Sequence, residues 1–161
     1  MAEAGRGAVD VMMAADRASR ELGIEVVESG AGTALVRMAV TASMVNGHRI
    51  AHGGYVFLLA DTAFACACNS HGPVTVAAGA DIVFVAPARE GDVLVADAVE
   101  RTRFGRSGVY DVTVRRAPDG NGDLPGGDLR SGAVVAEFRG RSRTIERAGG
   151  GDGSGARGGP A

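Results

Sequence analysis

Residues Asn46 to Ser70 read NGHRIAHGGYVFLLADTAFACACNS, and this stretch decides the fold. From Gly54 to Asn69, Val56, Leu59, Ala60, Ala63, Phe64 and Ala67 recur at the i, i+3, i+4, i+7 spacing of a helix. Phe57, Leu58, Ala65 and Cys68 fill much of the remaining circumference, so the helix is apolar nearly all round and has to be covered on most sides. One acidic residue, Asp61, interrupts it, and a His-Gly-Gly turn, His52 to Gly54, opens it. A carboxylate among Leu, Ala and Phe costs several kcal/mol unless partnered or hydrated. Glycines at a helix start expose backbone N–H groups backed by the positive end of the helix dipole.

The rest of the chain supplies the cover. An amphipathic helix is expected over Ala8 to Leu22, stopped by Gly23. Ile24 to Val27 and Thr33 to Val40 read as strands joined by the Gly30 to Gly32 turn. In the second strand, Ala34, Val36, Met38 and Val40 alternate with Leu35, Arg37 and Ala39. After the central helix come four long strands, Val74 to Val85, Asp92 to Arg103, Gly108 to Arg116 and Gly132 to Arg143. One buried helix followed by long antiparallel strands predicts an α+β architecture, a curved antiparallel sheet wrapped around one long central helix. Ala117 to Ser131, rich in Gly, Asp and Pro, reads as a loop. The expected organisation is a disordered N-terminus over 1–8, one domain over 9–147 and a disordered Gly-rich tail over 148–161.

Composition narrows the function classes. The 161 residues carry a formal net charge of −2, which gives no reason to expect nucleic acid as a partner. No apolar run approaches a membrane span, and the start lacks the features of a signal peptide, so a cytoplasmic protein is expected. Cys66 and Cys68 stand two apart on a helix, about 200° around its axis, so they cannot pair with each other. The same divergence argues against a metal site built from Cys66, Cys68, His52 and His71.

The block NGH, HGG and LADTAFACACNS resembles the hotdog-fold acyl-CoA thioesterases, specifically the phenylacetic acid degradation thioesterase group. DIVFVAPAREGD (Asp81 to Asp92), SGVYDVTV (Ser107 to Val114) and EFRGRS (Glu137 to Ser142) match in register, so the resemblance runs from about Val9 to Ile145. It implies a hotdog fold and hydrolysis of an aryl-acetyl-CoA, phenylacetyl-CoA or a ring-hydroxylated form, to free acid and coenzyme A during aromatic catabolism. It implies no metal or redox cofactor, with coenzyme A entering as part of the substrate. It also implies homodimers that pair again into homotetramers.

The residues give this chemistry concrete parts. Asp61 is the candidate nucleophile or general base, and the sequence leaves the two roles open. The Gly53 or Gly54 amide could polarise a thioester carbonyl, and the resemblance assigns this to Gly53. Asn46 reads as a turn residue in Asn-Gly, while the resemblance implies that it holds water or the acyl carbonyl. His52 is expected to position the loop rather than to act as an acid or base. Phe57, Val56 and Leu59 are candidates for the acyl pocket, or for the core. Thr62 is a nearby hydroxyl, which matters because Ala77-Ala78-Gly79 stands where related enzymes often carry Ser or Thr. Arg106, Arg139 and Arg141, with Arg103 and Arg143, are candidates for the coenzyme A phosphates, and the Gly105 to Gly108 loop could approach a phosphate.

Gly53 and Asp61 are eight residues apart, about 12 Å along one helix at ~1.5 Å per residue. Reacting groups must come within ~3–3.5 Å. A site using both therefore calls for two antiparallel helices in a homodimer. Two other classes remain in view. A hotdog hydratase or dehydratase would depend on His52 paired with an acid, and a non-catalytic acyl-CoA-binding module would leave Asp61 without a task.

Overall fold

The structure, a computed structural model, describes residues 2–118 and 127–145. Six antiparallel strands form one sheet in the order β1-β2-β4-β5-β6-β3, with β1 Glu25–Gly30, β2 Thr33–Ala39, β3 Thr75–Phe84, β4 Val93–Phe104, β5 Ser107–Arg116 and β6 Val134–Thr144. The long helix α3, Gly53–Asn69, packs across the inner face of the sheet. This is the expected α+β hotdog arrangement.

Strand alternation builds the core. Ala34, Val36, Met38 and Val40 of the β2 run face α3, with Leu94, Ala96 and Ala98 from β4 and Tyr110, Val112 and Val114 from β5. Leu35 points the other way and forms a small outer cluster with Val95 and Ala117. Phe64 lies at the centre, with its ring centroid 5.5 Å from Tyr110 and 5.9 Å from Phe138. Gly140 makes this possible, because a Cβ there would meet the Phe64 ring at 2.7 Å.

The structure departs from the sequence reading in the first helix. The helix expected over Ala8 to Leu22 is two helices, α1 Ala2–Ala15 and α2 Arg17–Glu21. Asp16 breaks the run, because its carboxylate accepts from the Ser19 N–H and so caps α2. The Ala117 to Ser131 loop is tied at its described ends. The Ala117 N–H donates to the Val93 carbonyl, and a 3-10 turn at Leu129–Ser131 directs Arg130 to Glu28 and Asp97 at 2.9 and 3.1 Å. The rest of that loop and the 148–161 tail lie outside the described residues.

Strand β3 is a sheet edge, since it pairs with β6 alone. Val76, Val83 and Phe84 are exposed along it. Among the described residues no helix is long and apolar enough to cross a membrane.

Candidate active site

The N-terminus of α3 is held by a compact, hydrogen-bonded loop. A bridge between Val45 and Ala51 closes the Asn46 to Ile50 turn. The Asn46 side-chain oxygen accepts from the His48 N–H at 2.9 Å and the Ile50 N–H at 3.4 Å, and Arg49 takes a left-handed φ of 61°. The turn reading of Asn46 therefore holds for its oxygen, which leaves its NH2 as the group available to a ligand. The His52 N–H donates to the Met44 carbonyl at 2.8 Å, and the Ala51 N–H donates to the Ala88 carbonyl at 2.7 Å.

His52 is the cap of α3. Its Nδ1 accepts from the Gly54 N–H at 3.0 Å, and its carbonyl accepts from the Tyr55 N–H at 3.0 Å. An accepting Nδ1 puts the ring proton of the neutral imidazole on Nε2. Two of the first amides of the helix are thereby satisfied. The Gly53 N–H is left without a protein acceptor among the described residues, at the positive end of the helix dipole. Of the two amides the sequence offered, the geometry leaves Gly53 open and consumes Gly54.

Gly53 opens onto a groove of about 500 Å³, which Asn46, Ile50, Val56, Phe84 and Val135 line and the Val85 to Ala88 segment rims. Apart from Asn46 its side chains are apolar. Its size lies within the usual range of small-molecule sites, roughly 300–1,000 Å³.

Asp61 sits two turns further along α3, half-buried on a face shared with Phe57, Leu58 and Ala65. Its carboxylate has no hydrogen-bond or ion-pair partner among the described residues, and desolvation raises its pKa above the ordinary 3.8. Along the helix it remains about 12 Å from Gly53. One chain does not bring the two together.

The other expected site residues divide sharply. Thr62, one residue on and so rotated about 100° from Asp61, is buried with its hydroxyl 3.1 Å from Ser19 Oγ. Ser19 Oγ in turn donates to Asp16 at 2.5 Å. Thr62 thus ties α3 to α2 and does not line the groove. Phe57 packs edge-on against Phe138, with centroids 5.3 Å apart, beside the core. Arg106 and Gly108 lie in and after the β4–β5 hairpin, and Arg106 lines a small cavity with Cys68 and His71. That is some 15 residues down α3 from Gly53, about 22 Å. A Cβ at Gly108 would come within 2.9 Å of both Ser142 Oγ and the Tyr110 ring, so this glycine is needed for packing.

Arg139 and Arg141 do share the outer face of β6, as alternation required, but both are occupied by acids from neighbouring strands. Arg139 donates twice to Asp111, at 2.7 and 2.9 Å, and Arg141 binds Asp81 at 2.6 Å. The hydrogen bond from Arg139 holds the Asp111 carboxyl below its ordinary pKa. A second polar cluster closes the far end of α3, where His71 Nε2 and the Tyr110 hydroxyl reach Glu100 at 2.5 and 2.9 Å. Burial pushes the Cys66 and Cys68 thiols up to about 12. Among the described residues no three His, Cys, Asp or Glu side chains are grouped to hold a metal ion.

Sequence reasoning missed the groove wall. Ala80, Ile82 and Phe84 share one face of β3 by period-2 alternation, and that face meets α3 where the helix begins. The alternation was readable, but its meeting point with Gly53 depends on the crossover that sets β3 beside β6.

Comparison with known proteins bears on the family and the fold. A thioesterase superfamily profile matches residues 48–122. The acyl-coenzyme A thioesterase PaaI of Escherichia coli K12 is 41% identical over 130 residues, covering 81% of this chain and 84% of the relative. The solved E. coli PaaI structure, from the phenylacetic acid degradation operon, superposes with a TM-score of 0.80 at 37% identity, covering 90% of this chain and 96% of that one. A phenylacetic acid degradation protein PaaI from Thermus thermophilus gives 0.70 at 32% identity, covering 81% of this chain and 100% of that one. With its central helix, its histidine-capped glycine entry and these relatives, the chain belongs to the hotdog-fold thioesterase superfamily, in the group of the phenylacetic acid degradation thioesterases.

Proposed function

We propose that the protein hydrolyses aryl-acetyl-CoA thioesters, such as phenylacetyl-CoA or its ring-hydroxylated forms, to the free acid and coenzyme A. One observation carries this reading. The Gly53 N–H has no protein acceptor among the described residues, stands at the positive end of α3 and opens onto an apolar groove. A thioester carbonyl set against that amide is polarised as negative charge develops on its oxygen. Asn46 lines the same groove, and with its oxygen engaged by the His48 and Ile50 N–H groups its NH2 is the group left to hold a water or the carbonyl.

Asp61 supplies the attacking carboxylate or activates the water. Half-burial without a partner among the described residues keeps it reactive, since none of their cations or donors quenches its charge. It acts on a thioester bound at Gly53 of a second copy, because about 12 Å separates the two within one chain. The open, apolar edge of β3 supports such a pairing, since an unpaired strand edge is a template for another chain. Two such dimers would form the homotetramer. In an antiparallel pairing of α3 helices, Arg106 and Gly108 of one chain move toward the groove of the other, where coenzyme A phosphates could reach them. Arg139 and Arg141 are poorer candidates, being held by Asp111 and Asp81. His52 serves as a helix cap and not as one half of a His–acid pair, which favours hydrolysis over hydration of an enoyl group.

Thiol release from a panel of acyl-CoA esters, read alongside sedimentation, tests this. Aryl-acetyl-CoA turnover by a dimer or tetramer is expected. Enoyl-CoA hydration without thiol release, or full activity in a monomer, would contradict it.

A further inference from the structure

We infer that Phe84 is the acyl-selecting wall of the groove, a role that rests on reading the Gly53 amide as the thioester site. Phe84 ends β3 on the face toward α3, and its ring lies over Gly53. A Cβ built on Gly53 would stand 2.8 Å from Phe84 Cζ and 3.2 and 3.3 Å from the two Cε atoms. Gly53 does not have a positive φ. The missing side chain at this position therefore makes room for the ring, and backbone conformation does not require it.

Backbone hydrogen bonds fix the rim of the groove, and the pairing of Phe84 with Ala136 sets the ring beside it. Ala88 is held by the Ala51 N–H at 2.7 Å, and Pro87 by Arg116 Nη2 at 2.7 Å. The Val85 and Ala86 N–H groups both donate to the Val135 carbonyl, at 2.8 and 3.2 Å. Val56 and Val135 are buried and form the floor. Phe84 is 54% exposed in the single chain, so its ring and not the core bounds this side of the groove. A group attached to a carbonyl at the Gly53 amide enters a space that this ring and the floor both bound, and the ring is the wall nearest Gly53. An aryl ring can lie against it edge-on or offset, a geometry that aromatic pairs prefer and an alkyl chain cannot adopt. A long alkyl chain gains no ring-to-ring contact from it.

The test compares kcat/KM for phenylacetyl-CoA and octanoyl-CoA, by thiol release, in the wild type, Phe84→Ala and Phe84→Trp. Removing the ring is expected to raise the octanoyl-to-phenylacetyl ratio about tenfold. Phe84→Trp, which narrows the wall, is expected to lower the ratio below that of the wild type. Phe84→Leu replaces the alanine variant if that one folds poorly, and should shift the ratio in the same direction. Equal factors for the two esters in these variants would overturn the proposal, because Phe84 would then touch the common coenzyme A portion or only support the fold. Thiol release by the wild type from neither ester would instead remove the thioester site on which the proposal stands.

Discussion

Alanine at Gly53 and alanine at Gly140 create nearly the same collision, yet the two should differ widely in consequence. At Gly140 the new Cβ meets the Phe64 ring at 2.7, 2.8 and 2.8 Å, and at Gly53 it meets the Phe84 ring at 2.8, 3.2 and 3.3 Å. Phe64 is 1% exposed and is packed between Tyr110 and Phe138, so it has nowhere to go. Overpacking a core costs about 1–3 kcal/mol. Replacing a strand glycine returns about 0.5–1 kcal/mol of backbone entropy. With three ring atoms inside 2.9 Å the cost lies at the upper end, so the net loss for Gly140→Ala reaches about 2–2.5 kcal/mol, which lowers Tm by roughly 4–10 °C at ~2–4 °C per kcal/mol. At Gly53 the ring is half exposed and swings aside, and alanine in the first turn of a helix gains up to ~1 kcal/mol over glycine. Gly53→Ala should therefore leave Tm within about 3 °C, while the displaced ring blocks the groove and lowers kcat/KM by about tenfold or more. Thermal unfolding followed by circular dichroism, with thiol release on the same samples, reads both effects. A Gly53→Ala protein destabilised as much as Gly140→Ala would refute the argument that ring exposure decides the cost.

Three further outcomes follow from the electrostatics. Because burial raises the Asp61 pKa, the native state holds this proton more tightly than the unfolded chain, so ionised Asp61 costs stability once pH rises above the unfolded value near 3.8 and through the folded one. Asp61→Asn should consequently raise Tm at neutral pH, an effect that fades on acidification below both pKa values. At Glu100, burial acts to raise the pKa, but the hydrogen bonds from His71 and Tyr110 outweigh it and leave the group below its ordinary 4.5. The stability it contributes is complete above that value and is lost as pH falls through the folded pKa, so Glu100→Gln should flatten the acid limb of a Tm-against-pH curve. With thiols at about 12, Cys66 and Cys68 should react with a disulfide reagent at pH 8 only at the rate of unfolding, and prompt labelling of the folded protein would contradict their burial.

Much of the fold was legible because its elements are long and strongly periodic. The four late strands were placed within one or two residues, and the central helix within one. The break at Asp16 was not legible, because a five-residue helix continues the same apolar spacing and only the capping bond separates it. Side-chain direction was readable from alternation at Arg139 and Arg141, but their partners were not. Asp111 and Asp81 are 28 and 60 residues away in sequence and become neighbours only through strand order. The surroundings of Thr62 were not legible for a related reason. A helix apolar on nearly every side gives no signal of which face meets α2, and the Ser19 hydroxyl settles it. The site itself was most legible at its entry, where His-Gly-Gly marked exposed helix-start amides, although that His52 caps the helix through Gly54 came only from the structure.

The central claim is that Asp61 attacks, or activates the attacking water, at a thioester held by Gly53. Phenylacetyl-CoA hydrolysis by the wild type and Asp61→Asn, measured on proteins of matched oligomeric state, tests it most directly. A loss of about 10²–10⁴ in kcat, with the fold intact, is the predicted result. An Asp61→Asn enzyme that keeps its activity to within a few-fold would contradict the account.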